Sequence, residues 1–148
     1  MQLTQYTDYS LRTLIFLGMN PDRRCTISEI SEGFSINRNH LVKVVHNLST
    51  SGWILTIRGK SGGMMLNMPA EEINIAAVVR DTEPHMDLLT CFDAGNTDCA
   101  ITPACKLRNV LFDARKAFIA VLEQYTLADM LQNKAELAQL LYMPSVNG

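Results

Sequence analysis

The sequence predicts a mainly α-helical protein with one short β-hairpin, and three observations support this fold class. Apolar residues recur at helical spacing in several segments. A glycine-rich turn separates two short apolar runs at 53–57 and 64–68, and a long helical pattern follows Pro103. With 148 residues, 47% of them apolar, the chain can form one domain with a sizeable core, or a small domain with an extension.

The first predicted helix covers residues 3–19. Its apolar and small residues lie near helical spacing: Leu3, Tyr6, Leu11, Leu14, Ile15 and Gly18. A turn at 20–22 follows. A second, short helix should be capped by Thr26 or Ser28 and run through Glu32, before a tight connection over 33–36.

A third helix is predicted from about Asn37 to Ser49. Its buried stripe should consist of Leu41, Val44, Val45 and Leu48, at positions i, i+3, i+4 and i+7. The opposite face carries polar and basic side chains, namely Arg38, Asn39, Lys43, His46 and Asn47. The predicted hairpin, formed by the runs 53–57 and 64–68, follows directly, with Arg58 and Lys60 in its turn.

Helix, helix, tight turn, helix and hairpin is the order of elements in a winged helix-turn-helix. In that fold the third helix enters the major groove, where Arg can pair with guanine and Asn with adenine. The hairpin tip offers two cations for contact with the DNA backbone or minor groove. The predicted DNA-binding residues are Ser28, Asn37, Arg38, Asn39, His40, Lys43, Arg58, Gly59, Lys60 and Ser61.

The charge distribution agrees with this interpretation. Residues 1–68 hold seven Lys/Arg and four Asp/Glu, whereas residues 69–148 hold six and eleven, so that the total is −2. The stretch 33–68 contains four cations and no acid. An acid-free basic stretch in an acidic protein suits local contact with a polyanion. A solvated basic face is the alternative, and charge alone does not exclude it.

Beyond the hairpin, residues 70–81 predict another short helix, and 84–101 show no periodicity. Thr102 and Pro103 resemble a helix start. The long helix that follows has an a/d seam of Leu107, Leu111, Ala114, Phe118, Val121 and Tyr125. Thr126 should cap a further short helix. We therefore divide the chain into a winged helix-turn-helix domain (1–82), a loop (83–102), and a long helix with C-terminal helices (103–148).

Three cysteines lie within fifteen residues, with the spacing C-x7-C-x5-C: Cys91, Cys99 and Cys105. Cys105 is expected in the first turn of the long helix, whose positive end favours the thiolate form. Three soft thiolates suit an iron–sulfur cluster or zinc, and the absence of C-x2-C favours a cluster. The alternative is three buried or incidental thiols.

Three cysteines leave a cluster one ligand short. Local candidates for the fourth ligand are His85, Asp87, Asp93 and Asp98, and a residue from elsewhere or from a partner chain is equally open. Cys25 lies far away in sequence beside a helix start, so that a role as a small core residue is expected for it.

The sequence also disfavours several classes of protein. No apolar run reaches the roughly 20 residues of a membrane span, and the N-terminus lacks the features of a signal peptide. We therefore expect a cytoplasmic protein with no membrane partner. No phosphate-binding glycine loop, H-E-x-x-H or nucleophile–base pair is found, so we do not expect an enzyme.

Four segments together resemble the NsrR-type nitric-oxide-sensing repressors, which belong to a larger family of bacterial winged-helix iron–sulfur regulators. They are MQLTQYTDYSLRTL, NRNHLVKVVHNLSTSGWI, RGKSGGMMLNMP and CAITPACKL, and the resemblance covers roughly residues 1–142. It implies a repressor that binds double-stranded operator DNA as a homodimer, with the long helix as its dimerisation helix and nitric oxide as its signal.

The resemblance also implies a ligand set. It maps the cluster cysteines onto Cys91, Cys99 and Cys105, and it suggests Asp8 of the partner subunit as the fourth ligand. Three thiolates and one oxygen ligand favour a 4Fe–4S over a 2Fe–2S cluster. Relatives that regulate iron–sulfur biogenesis carry a histidine three residues after the last cysteine, where this chain has Arg108. That departure argues against the biogenesis branch.

The expected mechanism begins when nitric oxide attacks the iron and displaces protein ligands. The two DNA-binding domains of the dimer then shift, and the operator is released. Two rival interpretations stay open. One is a regulator of the same fold that senses iron, an oxidant or cysteine supply. The other is a redox or metal-handling protein that binds no DNA.

Overall fold

A computed structural model describes residues 1–95 and 98–142. Two positions of the predicted loop (96–97) and the last six of the predicted C-terminal part (143–148) lie outside the described residues. The helices are α1 (Gln5–Met19), α2 (Ile27–Phe34), α3 (Arg38–Thr50), α4 (Ile75–Thr82), α5 (Lys106–Leu122), α6 (Leu127–Met130) and α7 (Lys134–Tyr142). The strands are β1 (Ile54–Ile57) and β2 (Gly63–Leu66), so the mainly α fold class is confirmed.

The core lies between α1, α2, α3 and the hairpin. Leu14 and Phe16 of α1 are completely buried, and Phe16 packs edge-to-face on Phe34 of α2 with ring centroids 6.3 Å apart. The predicted stripe of α3 is confirmed, because all four of its members are buried: Leu41, Val44, Val45 and Leu48. This stripe seats α3 on the domain and leaves its opposite face in solvent.

The connection between α2 and α3 is set by its caps. Thr26, rather than Ser28, caps α2, because its hydroxyl accepts from the Glu29 N–H while the Glu29 carboxylate accepts from the Thr26 N–H. The helix continues to Phe34, beyond the predicted end at Glu32. Ser35 then adopts a left-handed conformation with φ of 54°, which ends α2 and turns the chain into α3.

The hairpin is antiparallel, with Ile54 opposite Leu66 and Ile57 opposite Gly63. Gly63 has a φ of +146°, and a Cβ there would lie 2.8 Å from the carbonyl oxygen of Cys25. Cys25 and Met64 exchange two backbone hydrogen bonds of 2.9 and 2.8 Å. The predicted role of Cys25 as a small core residue is confirmed, since its side chain is completely buried.

The helix predicted over 70–81 is interrupted. A 3-10 turn occupies Ala70–Glu72, Ile73 is extended, and α4 begins only at Ile75. The Asn74 side-chain oxygen caps α4 by accepting from the Ala77 N–H. Its side-chain nitrogen donates to the carbonyl oxygens of Glu123 and Tyr125, which directly follow α5. These distant partners break the helix where local propensity does not.

The long helix begins later than predicted. Thr102–Ala104 form a separate 3-10 turn, and α5 starts at Lys106. Thr102 does not cap the helix, and its buried hydroxyl oxygen has no hydrogen-bond partner among the described residues. Cys105 is extended, with φ −76° and ψ 106°, and is the N-cap of α5 rather than a residue of its first turn.

After α5 the chain returns to the first domain. Thr126 caps α6 as predicted, and Leu127 of α6 is completely buried in the core shared with α1. Tyr142 of α7 packs edge-to-face on Phe16, with ring centroids 6.0 Å apart. The three-part division of the chain stays a prediction. Among the described residues, none of the helices combines the length and apolar character that crossing a membrane requires.

Candidate nucleic-acid interface and cysteine site

The outward face of α3 presents the predicted reading residues. Arg38, Asn39 and Lys43 are all exposed, and each lies in the first half of the helix. The N-terminal half of such a helix is the part that contacts base edges in helix-turn-helix proteins. Donors on an exposed face above a buried stripe can reach base edges and phosphates without disturbing the core.

The other predicted residues of α2 and α3 serve this face in different ways. Asn37 is the N-cap of α3, and its side-chain oxygen accepts from the Asn39 N–H at 2.8 Å. The Arg38 guanidinium contacts the Ser28 hydroxyl, which joins α2 to α3. The exposed His40 stacks on Tyr9 of α1, with ring centroids 6.0 Å apart.

The hairpin turn forms the predicted wing. Arg58, Gly59, Lys60 and Ser61 are exposed in the structure. Arg24 supports the turn, because its guanidinium donates to the carbonyl oxygen of Ser61 at 2.7 Å. Sequence reasoning missed Arg24, since 37 residues separate it from Ser61 and only the fold brings them together.

Glu29 of α2, an acid beside this surface, is paired with a cation from the turn that precedes the helix. Glu29 pairs with Arg23 at 2.7 Å. Partial burial opposes ionisation of Glu29, but hydrogen bonds from Thr26 and the Arg23 guanidinium hold its pKa below the ordinary value. The carboxylate therefore stays charged and occupied by Arg23.

The three clustered cysteines lie around the N-terminal end of α5. Cys91 and Cys105 are half-buried, Cys99 is exposed, and all three are free thiols. The Cys105 sulfur accepts from the Arg108 N–H at 3.4 Å, and the Arg108 Nε donates to the Cys91 carbonyl oxygen at 3.2 Å. The Cys99 carbonyl oxygen accepts from the Thr102 N–H at 3.1 Å. The Arg108 contacts therefore bring the Cys91 backbone to the same helix end as Cys105, whereas the Cys99 bond is a local turn contact.

The thiols do not form a closed ion site by themselves. Within residues 1–95 and 98–142, no three His, Cys, Asp or Glu side chains converge as ligands of a single ion. The chemistry of the donor set nevertheless suits a thiolate-ligated cluster, because it offers three cysteines that form no disulfide, with solvent access at Cys99.

Two candidate oxygen ligands near the cysteines have partners already. Asp87 pairs with Arg115 of α5 at 2.8 Å, and the Asp93 carboxylate accepts from the Gly95 N–H at 2.9 Å. Asp8 of α1 forms a two-point ion pair with Arg12, with N–O distances of 2.8 and 2.9 Å. Of the three, Asp8 has both carboxylate oxygens engaged by Arg12, so a metal would compete with Arg12 for it.

The start of α1 is joined to the segment that leads into the cysteine loop. The Glu83 carboxylate accepts hydrogen bonds from the backbone N–H and the hydroxyl of Thr4, at 2.7 and 2.9 Å. Partial burial opposes ionisation, but hydrogen bonds from Thr7 and Thr4 lower the pKa of Glu83 below its ordinary value. Sequence reasoning missed this contact, which spans 79 residues.

The long helix exposes an apolar face. We define its outer stripe as Leu107, Val110, Ala114, Ala117 and Val121, which follow one another at steps of three and four. Leu107 and Val110 are 61% and 62% exposed, and none of the residues of α5 is buried. The stripe lies one position away from the predicted seam in two places, because Leu111 and Phe118 are half-buried within the subunit.

The chain is similar over nearly its whole length to characterised bacterial regulators. It is 48% identical to the HTH-type transcriptional regulator NsrR of Bacillus subtilis (strain 168), over 97% of this chain and 99% of the relative. It is 47% identical to the protein of the same name from Geobacillus kaustophilus (strain HTA426), over 95% and 97%. These relatives are transcriptional regulators, so the chain is a regulator and not an enzyme, as the sequence predicted.

Solved structures share the fold. CymR, the global cysteine regulator of B. subtilis, superposes with a TM-score of 0.71 at 21% identity, covering 88% of this chain and 95% of that one. IscR of T. potens gives 0.71 at 23% identity, covering 94% and 91%. A family model described as Rrf2, iron-dependent transcriptional regulator, matches residues 3–133. The chain belongs to the Rrf2 family of transcriptional regulators.

Proposed function

We propose that this regulator is a homodimeric, cytoplasmic DNA-binding repressor whose operator affinity is controlled by an iron–sulfur cluster that reacts with nitric oxide. One observation carries the proposal. Three free thiols lie in the segment that leads into α5 and at its N-cap, in a chain that also exposes a basic face of α3 and a basic wing. The similarity to proteins named NsrR supports the same function.

The DNA-binding half of the proposal rests on the face of α3 and on the wing. Arg38, Asn39 and Lys43 would enter the major groove, where Arg and Asn can read base edges and Lys can contact phosphate. Arg58 and Lys60 would contact the backbone or the minor groove beside it. In a dimer, two such heads would meet half-sites about one helical turn of DNA apart, roughly 34 Å.

Cys91, Cys99 and Cys105 would hold the cluster, with Asp8 of the partner subunit as the fourth ligand. This set of three thiolates and one carboxylate favours a 4Fe–4S cluster. When bound, the cluster would supply iron that reacts with nitric oxide. The carboxylate is the weakest of the four donors for iron in such a set, because thiolate is the preferred ligand of these clusters.

Helix α1 supplies the connection between that ligand and the DNA. Asp8 precedes Tyr9, and Tyr9 stacks on His40 of the recognition helix. A carboxylate that leaves its metal position can return to Arg12, one turn further along α1. An exchange of partners at Asp8 would therefore shift Tyr9, and through its stacking on His40 it would change the position of α3.

The outer stripe of α5 supports the homodimer. A self-complementary apolar helix face packs on its own copy around a two-fold axis, as coiled-coil seams do. For Asp8 to serve as a ligand across the interface, this packing must also place α1 of one subunit beside the cysteine loop of the other.

The proposal is tested with anaerobically purified, cluster-loaded protein and DNA selected by that protein from a random pool. We expect nitric oxide to weaken binding by at least about tenfold, which is within the usual range of allosteric coupling. Parallel samples exposed to oxygen, or treated with an iron chelator, separate a nitric oxide sensor from a sensor of oxidants or iron. Cys99→Ala serves as a matched control that lacks one thiol.

Equal affinity of the loaded and the nitric-oxide-treated protein for the selected DNA would contradict the sensor. A colourless, iron-free anaerobic preparation that binds DNA fully would leave a winged-helix DNA-binding protein without a cluster. Selection that enriches no sequence, with binding that does not fall as salt rises, would contradict DNA binding itself.

A further inference from the structure

A group of aromatic and charged side chains fastens the cysteine loop to α5. Phe92, next to Cys91, packs edge-to-face on Phe112 of α5, with ring centroids 6.1 Å apart. The Arg115 guanidinium lies 5.1 Å from the Phe92 ring and 4.8 Å from the Phe112 ring. It also pairs with Asp87 at 2.8 Å. Cation–π contacts and an ion pair therefore hold the segment before and after Cys91 on the helix.

Arg108 links this group to the backbone of Cys91 and to the thiol of Cys105. Its Nε donates to the Cys91 carbonyl oxygen at 3.2 Å, and its backbone N–H donates to the Cys105 sulfur at 3.4 Å. Its guanidinium carbon lies 6.0 Å from the centre of the Phe92 ring. A single residue thus contacts Cys91 and Cys105 at once, although 14 positions separate them in the sequence.

We propose that Arg108 is a positioning residue, which holds Cys91 and Cys105 at the N-terminal end of α5 before iron and sulfide arrive. The inference rests on the proposed function, in which these cysteines are cluster ligands. Arg108 stands three residues after the last cysteine. Its side chain acts by hydrogen bonding to the Cys91 backbone and so keeps Cys91 near Cys105, whose sulfur the Arg108 backbone N–H contacts; Arg108 does not coordinate iron itself.

An arginine suits this position better than other residues. Its planar guanidinium can lie over an aromatic ring while its in-plane N–H groups donate to a carbonyl. Lysine keeps the charge and one donor group, but it lacks the planar face that contacts Phe92. Alanine keeps the backbone N–H to Cys105 and removes only the side-chain contacts to Cys91 and Phe92. Substitution by lysine therefore removes part of the side-chain contact, and substitution by alanine removes all of it.

Two measurements on full-length protein test the proposal. The first is hydrogen exchange in metal-free, reduced protein. The amides of Phe92 and Asp93, which bond to Leu89 and Thr90, report directly on the loop. We expect Arg108→Ala to speed their exchange about fivefold, the equivalent of one ordinary hydrogen bond. Arg108→Lys should give a smaller change. Lys106→Ala, which removes an exposed cation from the same helix turn, should give none.

The second measurement is cluster assembly from ferrous iron and sulfide under anaerobic conditions, followed by visible absorption. We expect assembly about fivefold slower in Arg108→Ala, with partial rescue in Arg108→Lys. Unchanged exchange at Phe92 and Asp93 in Arg108→Ala would overturn the proposal. Faster exchange with normal assembly would overturn it equally, because Arg108 would then stabilise the loop without positioning ligands.

These outcomes separate this inference from the proposed function. If the wild-type chain assembles no cluster, the proposed sensor fails, while the exchange data still decide whether Arg108 holds the loop. If the wild-type assembles a cluster and Arg108→Ala behaves like wild type in both measurements, only the role of Arg108 fails. Unchanged exchange at buried amides of α3, such as Leu41 and Val44, confirms that each variant is folded.

Discussion

At the residue scale, the reading surface depends on how each polar side chain is held. Arg38 contacts Ser28, so it is presented from a defined position on α3, and Asn37 spends its side-chain oxygen on capping the helix. A side chain that is already positioned loses less conformational entropy when it binds than a free one does. Arg38 is therefore the residue of α3 best prepared to contact a base.

We expect Arg38→Ala to weaken binding to selected DNA by about 1–3 kcal/mol, which is typical of a lost base contact. The visible absorption of the cluster should not change, because Arg38 lies on α3 and contacts Ser28, away from the segment that carries the thiols. Lys134→Ala, which removes an exposed cation from α7, is the matched control. Filter binding or fluorescence anisotropy at one salt concentration measures both. Equal affinities of the two variants would remove Arg38 from the interface.

A second prediction at this scale concerns the ion pair on α1. Arg12 competes with any metal for the Asp8 carboxylate, since it occupies both oxygens. Arg12→Gln should therefore slow the loss of iron to a chelator, whereas Asp8→Ala should accelerate it. Arg12→Lys, which keeps the charge, should resemble the wild type. Iron loss that is identical in all four proteins would return Asp8 to a purely structural role.

At the element scale, the start of α5 combines a helix cap with a proposed cluster ligand. The Cys105 sulfur accepts the Arg108 N–H and so satisfies one of the unpaired donors of the first turn. Serine can replace this function through its hydroxyl oxygen, whereas alanine cannot. The two substitutions consequently separate the stability of the helix from the chemistry of the thiol.

We expect metal-free Cys105→Ala to be less stable than metal-free Cys105→Ser by about 1 kcal/mol, the usual value of an N-cap. Both variants should fail to assemble a cluster, because both lack the thiolate. Urea unfolding followed by circular dichroism gives the first quantity, and visible absorption after anaerobic assembly gives the second. A Cys105→Ala protein as stable as the metal-free wild type would show that the sulfur does not act as a cap.

The junction of α1 with the end of α4 predicts a pH dependence. The pKa of Glu83 is lowered in the folded chain, so its contribution to stability is present above the ordinary pKa of about 4.3 and is lost as the pH falls through the lower folded value. Glu83→Gln should lower the free energy of unfolding by about 1 kcal/mol at pH 7. That difference should shrink below pH 4.

The exposed Glu71 provides the control for this prediction. Glu71→Gln removes the same charge from the 3-10 turn before α4 without touching Thr4. Its stability should follow the wild type across the same pH range, as measured by urea unfolding. A difference between Glu83→Gln and wild type that stays constant from pH 7 to pH 3 would contradict the role of the ionised carboxylate.

What the sequence predicts well are the elements set by local pattern. The spacing of Leu41, Val44, Val45 and Leu48 predicts the buried face of α3, since a helix period is a local property. The sequence does not predict the break at Asn74, whose partners lie about 50 residues away. The same holds for the Arg108 contact with Cys91, because the unpatterned loop before α5 carries no register that local rules can read.

At the scale of the whole molecule, the exposed stripe of α5 faces away from the subunit's own core. An apolar helix seam of this kind is covered by a partner in stable proteins, because exposed contiguous apolar surface is unfavourable in water. The sequence pattern predicts the seam on this helix but places it at Leu111 and Phe118, whereas the exposed stripe has Val110 and Ala117 instead. The contact of α5 with α4 determines which positions are exposed, because this contact leaves Val110 in solvent while Leu111 is half-buried.

The dimer proposed on this stripe can be tested with Val110→Glu. A carboxylate within the stripe would be buried once in each subunit of a two-fold dimer, and each unpaired buried charge costs several kcal/mol. We expect the dimer to weaken by at least about 100-fold, because two such penalties far exceed the 2.7 kcal/mol that this factor represents. Sedimentation velocity over a range of concentrations measures the change.

Asn109→Glu supplies the matched control, because it adds the same charge one residue earlier, about 100° around α5 and outside the stripe, at a position that is also exposed. It should remain dimeric and should bind selected DNA like the wild type. Val110→Glu should keep its circular dichroism spectrum, since Val110 is 62% exposed in the subunit and contributes little to its core. It should nevertheless lose affinity for a two-half-site operator, because a monomer engages only one half-site at a time. A Val110→Glu protein that sediments as the wild-type dimer would place the subunit interface on another face of the molecule.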